Sequence, residues 1–194
     1  MKSNLRIVGL GYQIGAGKDT AADILCSEFG YTKMRFADAL KEAVSTIFGW
    51  PREKLDDQKF KAKEDAFWGT TPRTILQRVG TEAMRQQIRD DVWIKALELR
   101  IKNFKKGKLL PWIVIPDVRF LNEVQAVKEW GGIVVRIRRP NNEHTPIDLA
   151  QNRHASETEL DSYEGWDATL DNSEGLAYFI KLVRAWHRAR YPNK

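Results

Sequence analysis

A single cysteine, Cys26, stands among 194 residues, so no disulfide can form within the chain and a reducing compartment is predicted. It falls on what reads as the packed face of the first helix, a core position. No apolar run approaches the roughly 18 residues needed to cross a bilayer. The N-terminus passes from Lys2, Ser3 and Asn4 straight into a strand pattern, without the shape of a targeting segment. A soluble, cytoplasmic protein without membrane partners is expected. Gly-, Pro- or Ser-rich linkers, internal repeats and low-complexity segments are lacking too, which predicts one domain over residues 1–194. Nor is there a tail of one charge. The formal net charge is +6, but 26 acidic residues are interspersed with 32 basic ones, a pattern that suits phosphate ligands at least as well as a nucleic-acid groove. His154 has no His, Cys or Asp company at ligand spacing, and no nucleophile–base pair is evident.

What is present begins at Gly9. Gly-Leu-Gly-Tyr-Gln-Ile-Gly-Ala-Gly-Lys-Asp-Thr (9–20) follows the apolar run Leu5 to Leu10 and opens a helical pattern, the strand–turn–helix setting of a phosphate-binding loop. Gly15 and Gly17 let backbone N–H groups turn inward on an anion. The helix that follows offers its positive end, and Lys18 a mobile ammonium. This machinery suits a nucleoside triphosphate. Two features depart from G-x-x-x-x-G-K-[ST]. The first glycine is at Gly11 where the pattern puts it at Tyr12, as if the loop were a residue longer, and Asp19 follows the lysine with Thr20 only after it. A carboxylate beside a triphosphate repels it unless a cation intervenes. Asp19 is therefore expected near Mg²⁺ water ligands or the acceptor rather than simply exposed, the alternative being a helix N-terminal role.

Strand patterns at Leu5–Leu10, Tyr31–Phe36, Trp112–Pro116, Ile133–Ile137 and Asp167–Leu170 alternate with helical ones. Unbroken apolar runs such as Ile113-Val114-Ile115 predict strands covered on both faces of a parallel sheet. The fold expected is α/β, doubly wound. Some 75 residues between the second and third strands exceed one crossover helix and predict a helical insertion (about 37–110), where substrate recognition is placed. It opens on Phe36-Ala37-Asp38-Ala39-Leu40-Lys41, read as a strand end passing into a helix. Arg52–Asp65 reads as a solvated helical face. In a helix from Pro72 to about Ile88, Ile75, Leu76, Val79, Ala83 and Met84 form an apolar stripe. Arg73, Gln77, Thr81 and Arg85 form a polar ridge beside it. Gly80 in its interior suggests a close approach by a backbone or ligand.

After the third strand, Asp117 closes an apolar run as a Walker B aspartate does, with Arg119 two residues on. A polar stretch then runs to about Ser162 and is read as a lid (about 139–162). Before the last helix, Asp171 and Glu174 form a candidate capping box, and Leu176, Ile180, Val183 and Trp186 a candidate packed side.

Together, Gly-Lys-Asp-Thr-Ala-Ala-Asp (17–23), Phe-Ala-Asp-Ala-Leu-Lys (36–41), Thr-Pro-Arg and Leu-Gln-x-x-Gly-Thr-Glu (within 71–82), Pro-Asp-Val-Arg-Phe-x-Asn-Glu (116–123) and His-Ala-Ser-Glu (154–157) resemble the deoxynucleoside monophosphate kinases of tailed bacteriophages, a branch of the P-loop kinases. The resemblance implies a three-layer α/β/α P-loop kinase fold, with a mostly parallel five-stranded sheet, a helical acceptor-binding insertion and a lid. It implies transfer of the γ-phosphoryl group of ATP, with Mg²⁺, to a deoxynucleoside monophosphate, in the host cytoplasm if the chain is phage-encoded. Gly15, Ala16, Gly17, Lys18 and Thr20 would hold the ATP phosphates, and Asn172 would lie near the adenine. Phe36, Asp38, Lys41, Arg73, Gln77, Thr81 and Arg119 would line the acceptor site. Lys18, Asp19 and Arg119 would act in catalysis, Asp117 would organise the metal, and Arg139, Arg153, His154 and Glu157 would belong to the lid.

The chemistry agrees independently. A phosphate acceptor with its second pKa near 6 is already anionic at neutral pH and needs no strong base, so catalysis is positioning and charge neutralisation. One alternative is a P-loop kinase for another small acceptor such as dephospho-coenzyme A. Another, of a different kind, is a non-catalytic nucleic-acid-binding protein, against which the seven tryptophans are scattered rather than arrayed with basic residues. A homodimer is compatible with the sequence, which leaves the accepted bases and the oligomeric state open.

Overall fold

Strand β1, Arg6–Gly11, is apolar and buried from Ile7 onward, and in the computed structural model it occupies the middle of the sheet. The structure describes residues 6–12, 14–105, 112–140 and 158–192. Five strands, β1, β2 (Tyr31–Lys33), β3 (Trp112–Val118), β4 (Ile133–Arg138) and β5 (Ala168–Asp171), lie in the order β2-β3-β1-β4-β5. All four pairings are parallel. This is the expected sheet, built from runs buried on both faces. The chain adds β3 on one side of β1 and β4 on the other, so the order reverses beside β1, and the C-terminal ends of these strands border the crevice where ligands of such sheets bind.

Two strand ends depart by more than one residue from the sequence reading. β2 stops at Lys33, three residues short of Phe36, so residues 34–37 join strand and helix. β3 continues two residues past Pro116. Between Gly9 and Gly11 of β1 the partner strand advances from Ile115 to Val118, which places one extra residue in β3. Pro116 has no N–H to give the ladder, and a bulge absorbs that loss.

The chain divides into two compact units, Met1–Met34 with Lys105–Lys194, and Arg35–Phe104. In the first, helix α1 (Lys18–Phe29) buries Ala21, Ala22, Ile24 and Leu25, and Cys26 packs at the margin of the same core. The final helix, α7 (Leu176–Arg190), buries Phe179, Val183 and His187. Leu176 is exposed, contrary to the stripe predicted through it. The capping box of Asp171 and Glu174 is not formed either. The helix starts at Leu176 behind Gly175, and Asp171 instead accepts from the Ser173 N–H in a local turn. His187 stacks on Phe29 at 3.8 Å, beside Tyr31 and Trp112.

In the second unit, α2 (Asp38–Phe48) buries Leu40 and Val44. The segment read as one solvated helical face is two pieces, a 3₁₀ turn over Arg52–Asp56 around the fully buried Leu55 and the short α3 (Gln58–Ala62). α4 (Pro72–Gln77) is capped by Thr71, whose hydroxyl accepts from the Thr74 N–H. The single helix predicted to Ile88 then changes pitch, and Arg78–Ile88 is π-helical. Its wider turn puts residues five apart on one face. Gly80 and Arg85 are buried there while Ala83, assigned to the apolar stripe, is exposed. The close approach at Gly80 is real, but it is a side chain. A Cβ there would stand 2.7 Å from Cδ2 of Leu40, and the Gly80 carbonyl accepts from the buried Trp93 indole at 2.9 Å. Helix α5 (Val92–Lys105) follows. In the first unit, α6 (Leu121–Glu129) links β3 to β4.

Candidate active site

The loop from Tyr12 to Gly17 leaves β1 at the crevice. Gly11 still belongs to the strand, paired with Arg136 of β4 and Val118 of β3. A Cβ on it would lie 2.6 Å from Cη2 of Trp166, so glycine is required there by packing. The residue that turns the chain is Tyr12, with φ 91°, the one described non-glycine residue at positive φ. The loop is therefore not a residue longer than usual. It starts at Tyr12, and a tyrosine takes the conformation a glycine would normally supply.

At the other end of the loop Gly17 has φ 105° and caps α1. The side chain of Asn172, 9% exposed just past β5, donates from Nδ2 to the Ala16 carbonyl at 2.9 Å, and the backbone N–H of Asn172 donates to the Arg138 carbonyl at 2.7 Å. A Cβ at Gly17 would lie 2.6 Å from that Nδ2. Asn172 thus braces the loop backbone, a task the sequence did not disclose. Gly15 is exposed, Ala16 fully buried, and Thr20 half-buried in the first turn of α1.

Lys18 donates from Nζ to the Tyr12 carbonyl at 2.9 Å. Burial, and next the charge of Arg119, lower its pKa from 10.5 to about 8, against the opposing pull of Asp19 and Asp117. These four side chains therefore share one electrostatic environment, contributed by the start of α1 and the end of β3. Asp117 lies in the bulge of β3, and Arg119 in the turn that follows. Both are half-buried. That turn is held by Glu123, 2% exposed, which accepts from the N–H groups of Arg119 at 2.7 Å and Phe120 at 3.2 Å. A Glu three residues into a helix reaching back to the preceding N–H is the glutamate half of a capping box, and the sequence carried that signal. Asp19 is solvent-exposed in the first turn of α1, and its charge reaches Lys18.

The residues predicted for the acceptor lie mostly in the second unit. Phe36 is 2% exposed and part of its core. Asp38 Oδ1 pairs with Arg52 at 2.8 Å and its Oδ2 with Arg100 at 3.2 Å. Lys41 pairs with Asp56 at 2.6 Å, and Arg52 reaches Asp56 as well at 2.8 Å. Burial pushes the Asp56 carboxyl up, but its bonds to Lys41 and Arg52 outweigh this and bring it down to about 2. Arg73 donates to Gln58 Oε1 at 3.1 Å. Gln77 ends α4 and Thr81 lies past the change of pitch, both half-buried. The ridge predicted from them does not extend to Arg85, which turns inward and donates to the Asp90 carbonyl at 2.7 Å. Arg52, Arg100 and Asp56 were missed: Arg52 and Asp56 fall in the segment read as a solvated face and meet Asp38 and Lys41 across about 15 residues, and Arg100 meets Asp38 and Glu42 across about 60, separations that leave no local pattern. Arg139 is exposed. Arg153, His154 and Glu157, with most of the lid, lie outside the described residues. Among the described residues no three His, Cys, Asp or Glu side chains cluster as a metal cage, and no helix is long and apolar enough to cross a membrane.

Comparison with known proteins adds to this geometry. The family model described as deoxynucleotide monophosphate kinase matches residues 53–183, a span that includes Asp117 and Arg119. A protein of Acanthamoeba polyphaga mimivirus that carries the name of a deoxynucleotide monophosphate kinase is 31% identical over 187 residues, 91% of this chain and 93% of that one. The ORF77 protein of Ictalurid herpesvirus 1 (strain Auburn) is 28% identical over 86% of this chain and 64% of its own length. Among solved structures, TT1252 from Thermus thermophilus matches with a TM-score of 0.58 at 15% identity, covering 96% of this chain and 98% of that one. The dephospho-CoA kinase from Campylobacter jejuni matches with 0.53 at 16%, covering 99% and 100%. At such identities these two likenesses concern the fold alone.

Proposed function

Because the chain belongs to the deoxynucleotide monophosphate kinase family, it is a kinase that phosphorylates deoxynucleoside monophosphates, and we propose that ATP with Mg²⁺ is the donor, bound by the loop at 12–20. The observation that carries this reading is the shared environment of Lys18, Asp117, Arg119 and Asp19, set where α1 begins and β3 ends. Gly15, Ala16, Gly17 and Thr20 offer backbone and hydroxyl groups to the phosphates, and Lys18 bridges the outer ones. With a pKa near 8, Lys18 is mostly charged at neutral pH, and triphosphate binding draws its proton affinity up again.

The carboxylates of Asp117 and Asp19, both acting on Lys18, suit a cation that arrives on the phosphates and keeps its waters, which is how Mg²⁺ is usually held. Asp117 would hold that ion, with Asp19 near its water shell, and bound there it would neutralise charge on the transferred group. The chain's own part is to bring two anions together. Arg119, held in place through its backbone by Glu123, is assigned to the charge that develops on the transferred group. Phe36, Asp38, Lys41, Arg73, Gln77 and Thr81 are assigned to the acceptor, and Arg139, Arg153, His154 and Glu157 to a lid. Asn172, which holds the Ala16 carbonyl, is assigned to the adenine end of the donor site. Residues 37–110 are proposed as the acceptor-binding insertion of one kinase domain, and the host cytoplasm as the location, in keeping with viral relatives.

The test is an ATP-coupled assay over all deoxynucleoside and nucleoside monophosphates and dephospho-coenzyme A, with and without Mg²⁺. Formation of deoxynucleoside diphosphates that depends on Mg²⁺ is expected. Turnover of dephospho-coenzyme A alone would transfer the reading to that acceptor.

A further inference from the structure

A φ of 91° at Tyr12 is a conformation that a bulky residue keeps only where its surroundings hold it. The guanidinium carbon of Arg136 lies 3.9 Å from the centroid of the Tyr12 ring, within range of a cation–π contact. Arg136 sits on β4 in register beside Gly11, so the sheet fixes its backbone. Its Nε–H is buried without an acceptor among the described residues, which is unfavourable for a group kept for hydrogen bonding from that edge and consistent with one kept for its flat, charged face. The neighbouring Gly11 is packed against Trp166 and cannot lend its freedom to position 12. On the far side of Tyr12, its carbonyl receives the Lys18 ammonium.

We propose that Tyr12 and Arg136 are a positioning pair for the phosphate loop: the stack holds Tyr12 in the left-handed conformation and so aims its carbonyl at Lys18, setting the ammonium where the donor phosphates arrive. Both residues act through Lys18, and the inference rests on the reading that this loop binds ATP. A glycine at position 12 would take the same φ at no steric cost, so the stack matters only while a side chain is present there. Arg136 is therefore coupled to Tyr12, and the coupling vanishes in Tyr12→Gly.

Steady-state kinetics of the wild type, Arg136→Met, Tyr12→Gly and the double variant read that coupling. Arg136→Met raises the KM for ATP about fivefold, with the KM for the monophosphate unmoved. In the Tyr12→Gly background the same substitution changes the KM for ATP by less than about twofold. Tyr12→Phe, which keeps the ring, retains the wild-type KM, and Tyr12→Leu behaves like Arg136→Met. An equal rise in both backgrounds overturns the pairing and makes Arg136 a direct nucleotide contact. A parallel rise for both substrates overturns it in favour of general loosening. The same cycle is read in melting temperatures without nucleotide, where Tyr12→Gly must help the Arg136→Met protein more than it helps the wild type, and additive shifts overturn the pair. That reading needs no turnover, so a chain that failed to use ATP would cost the donor assignment while the pair is still judged.

Discussion

Around Lys18 the charged groups are few and are set by backbone, at a loop, a helix start and a strand end, and the lysine's proton affinity falls because the site is enclosed. Between residues 35 and 104 several cations are answered by side chains of their own unit, Lys41 by Asp56, Arg52 by Asp38 and Asp56, Arg100 by Asp38 and Glu42, and Arg73 by Gln58. The first arrangement is preorganised, since braces such as Asn172 on Ala16 and Glu123 on the turn at 119–120 are in place before any ligand. The second is exchangeable. Partly exposed ion pairs are each worth about 0–1 kcal/mol, so an incoming phosphate can take over a cation from a carboxylate at little cost. One region therefore owes its chemistry to fixed geometry, and the other to a stock of neutralised charge.

The sharpest break in that contrast is at Lys18. Lys18→Ala should lower kcat/KM by at least about 10²–10³ without lowering the melting temperature, because the side chain carries a charge that burial disfavours and not core packing. Near-normal turnover would dissolve the preorganised site altogether. Next come the two arginines. Arg73→Ala and Arg119→Ala should each impair use of the monophosphate more than ATP binding, by about 2 kcal/mol where a charge-assisted phosphate contact is lost. A loss seen only in ATP affinity for Arg73 would move it to the donor side and blur the division between the regions.

Packing offers a smaller test. Gly11→Ala drives a Cβ into the Trp166 ring and toward the Val118 carbonyl and should cost about 1.5 kcal/mol of stability, with ATP affinity falling too. Gly80→Ala meets only the end of the Leu40 side chain and regains about 1 kcal/mol of helix preference, so it should cost less. Equal melting shifts in the two variants would contradict the rigid-against-adaptable contrast. The pH response separates the regions as well. Lys18 loses its proton near pH 8 when no nucleotide is bound. ATP affinity should hold below that pH and fall as pH rises through it, by at most about tenfold per unit, and Lys18→Arg should remove the limb. Stability without nucleotide runs the opposite way, rising between about 8 and 10.5, where the unfolded chain still holds the proton. The smallest effect is expected at Asp56. Its carboxyl, held down to about 2, contributes stability that is present above pH 3.8 and lost as pH falls toward 2. Asp56→Asn should flatten that acid limb by less than about 1 kcal/mol, since the side chain is 40% exposed and screened by solvent.

The sheet was legible because strands buried on both faces write themselves as apolar runs, as Ile113-Val114-Ile115 does, and the phosphate loop because glycines and a lysine at fixed spacing have few other uses. The π-helical stretch at 78–88 was not. Its residues look helical in an α period, and the wider pitch appears only in the bonds they make, such as the Arg89 N–H to the Met84 carbonyl five residues back. Nor could local pattern show that Gly11 is required by Trp166, some 155 positions away, or that Tyr12 would take the turning conformation.

What the sequence by itself determined is the kind of element at each place and the chemical groups at strand ends: a parallel sheet, an anion-binding loop before α1, an Asp and an Arg after β3. These follow from periodicity, glycine spacing and side-chain chemistry, which act over a few residues. Tertiary structure alone decided the state of those groups. Lys18 near pH 8, Asn172 on the loop carbonyl, Arg136 across the Tyr12 ring and the exchanged charges of residues 35–104 all depend on contacts between distant segments, because burial, Coulomb interaction and steric fit are set by distance in space and not by distance along the chain.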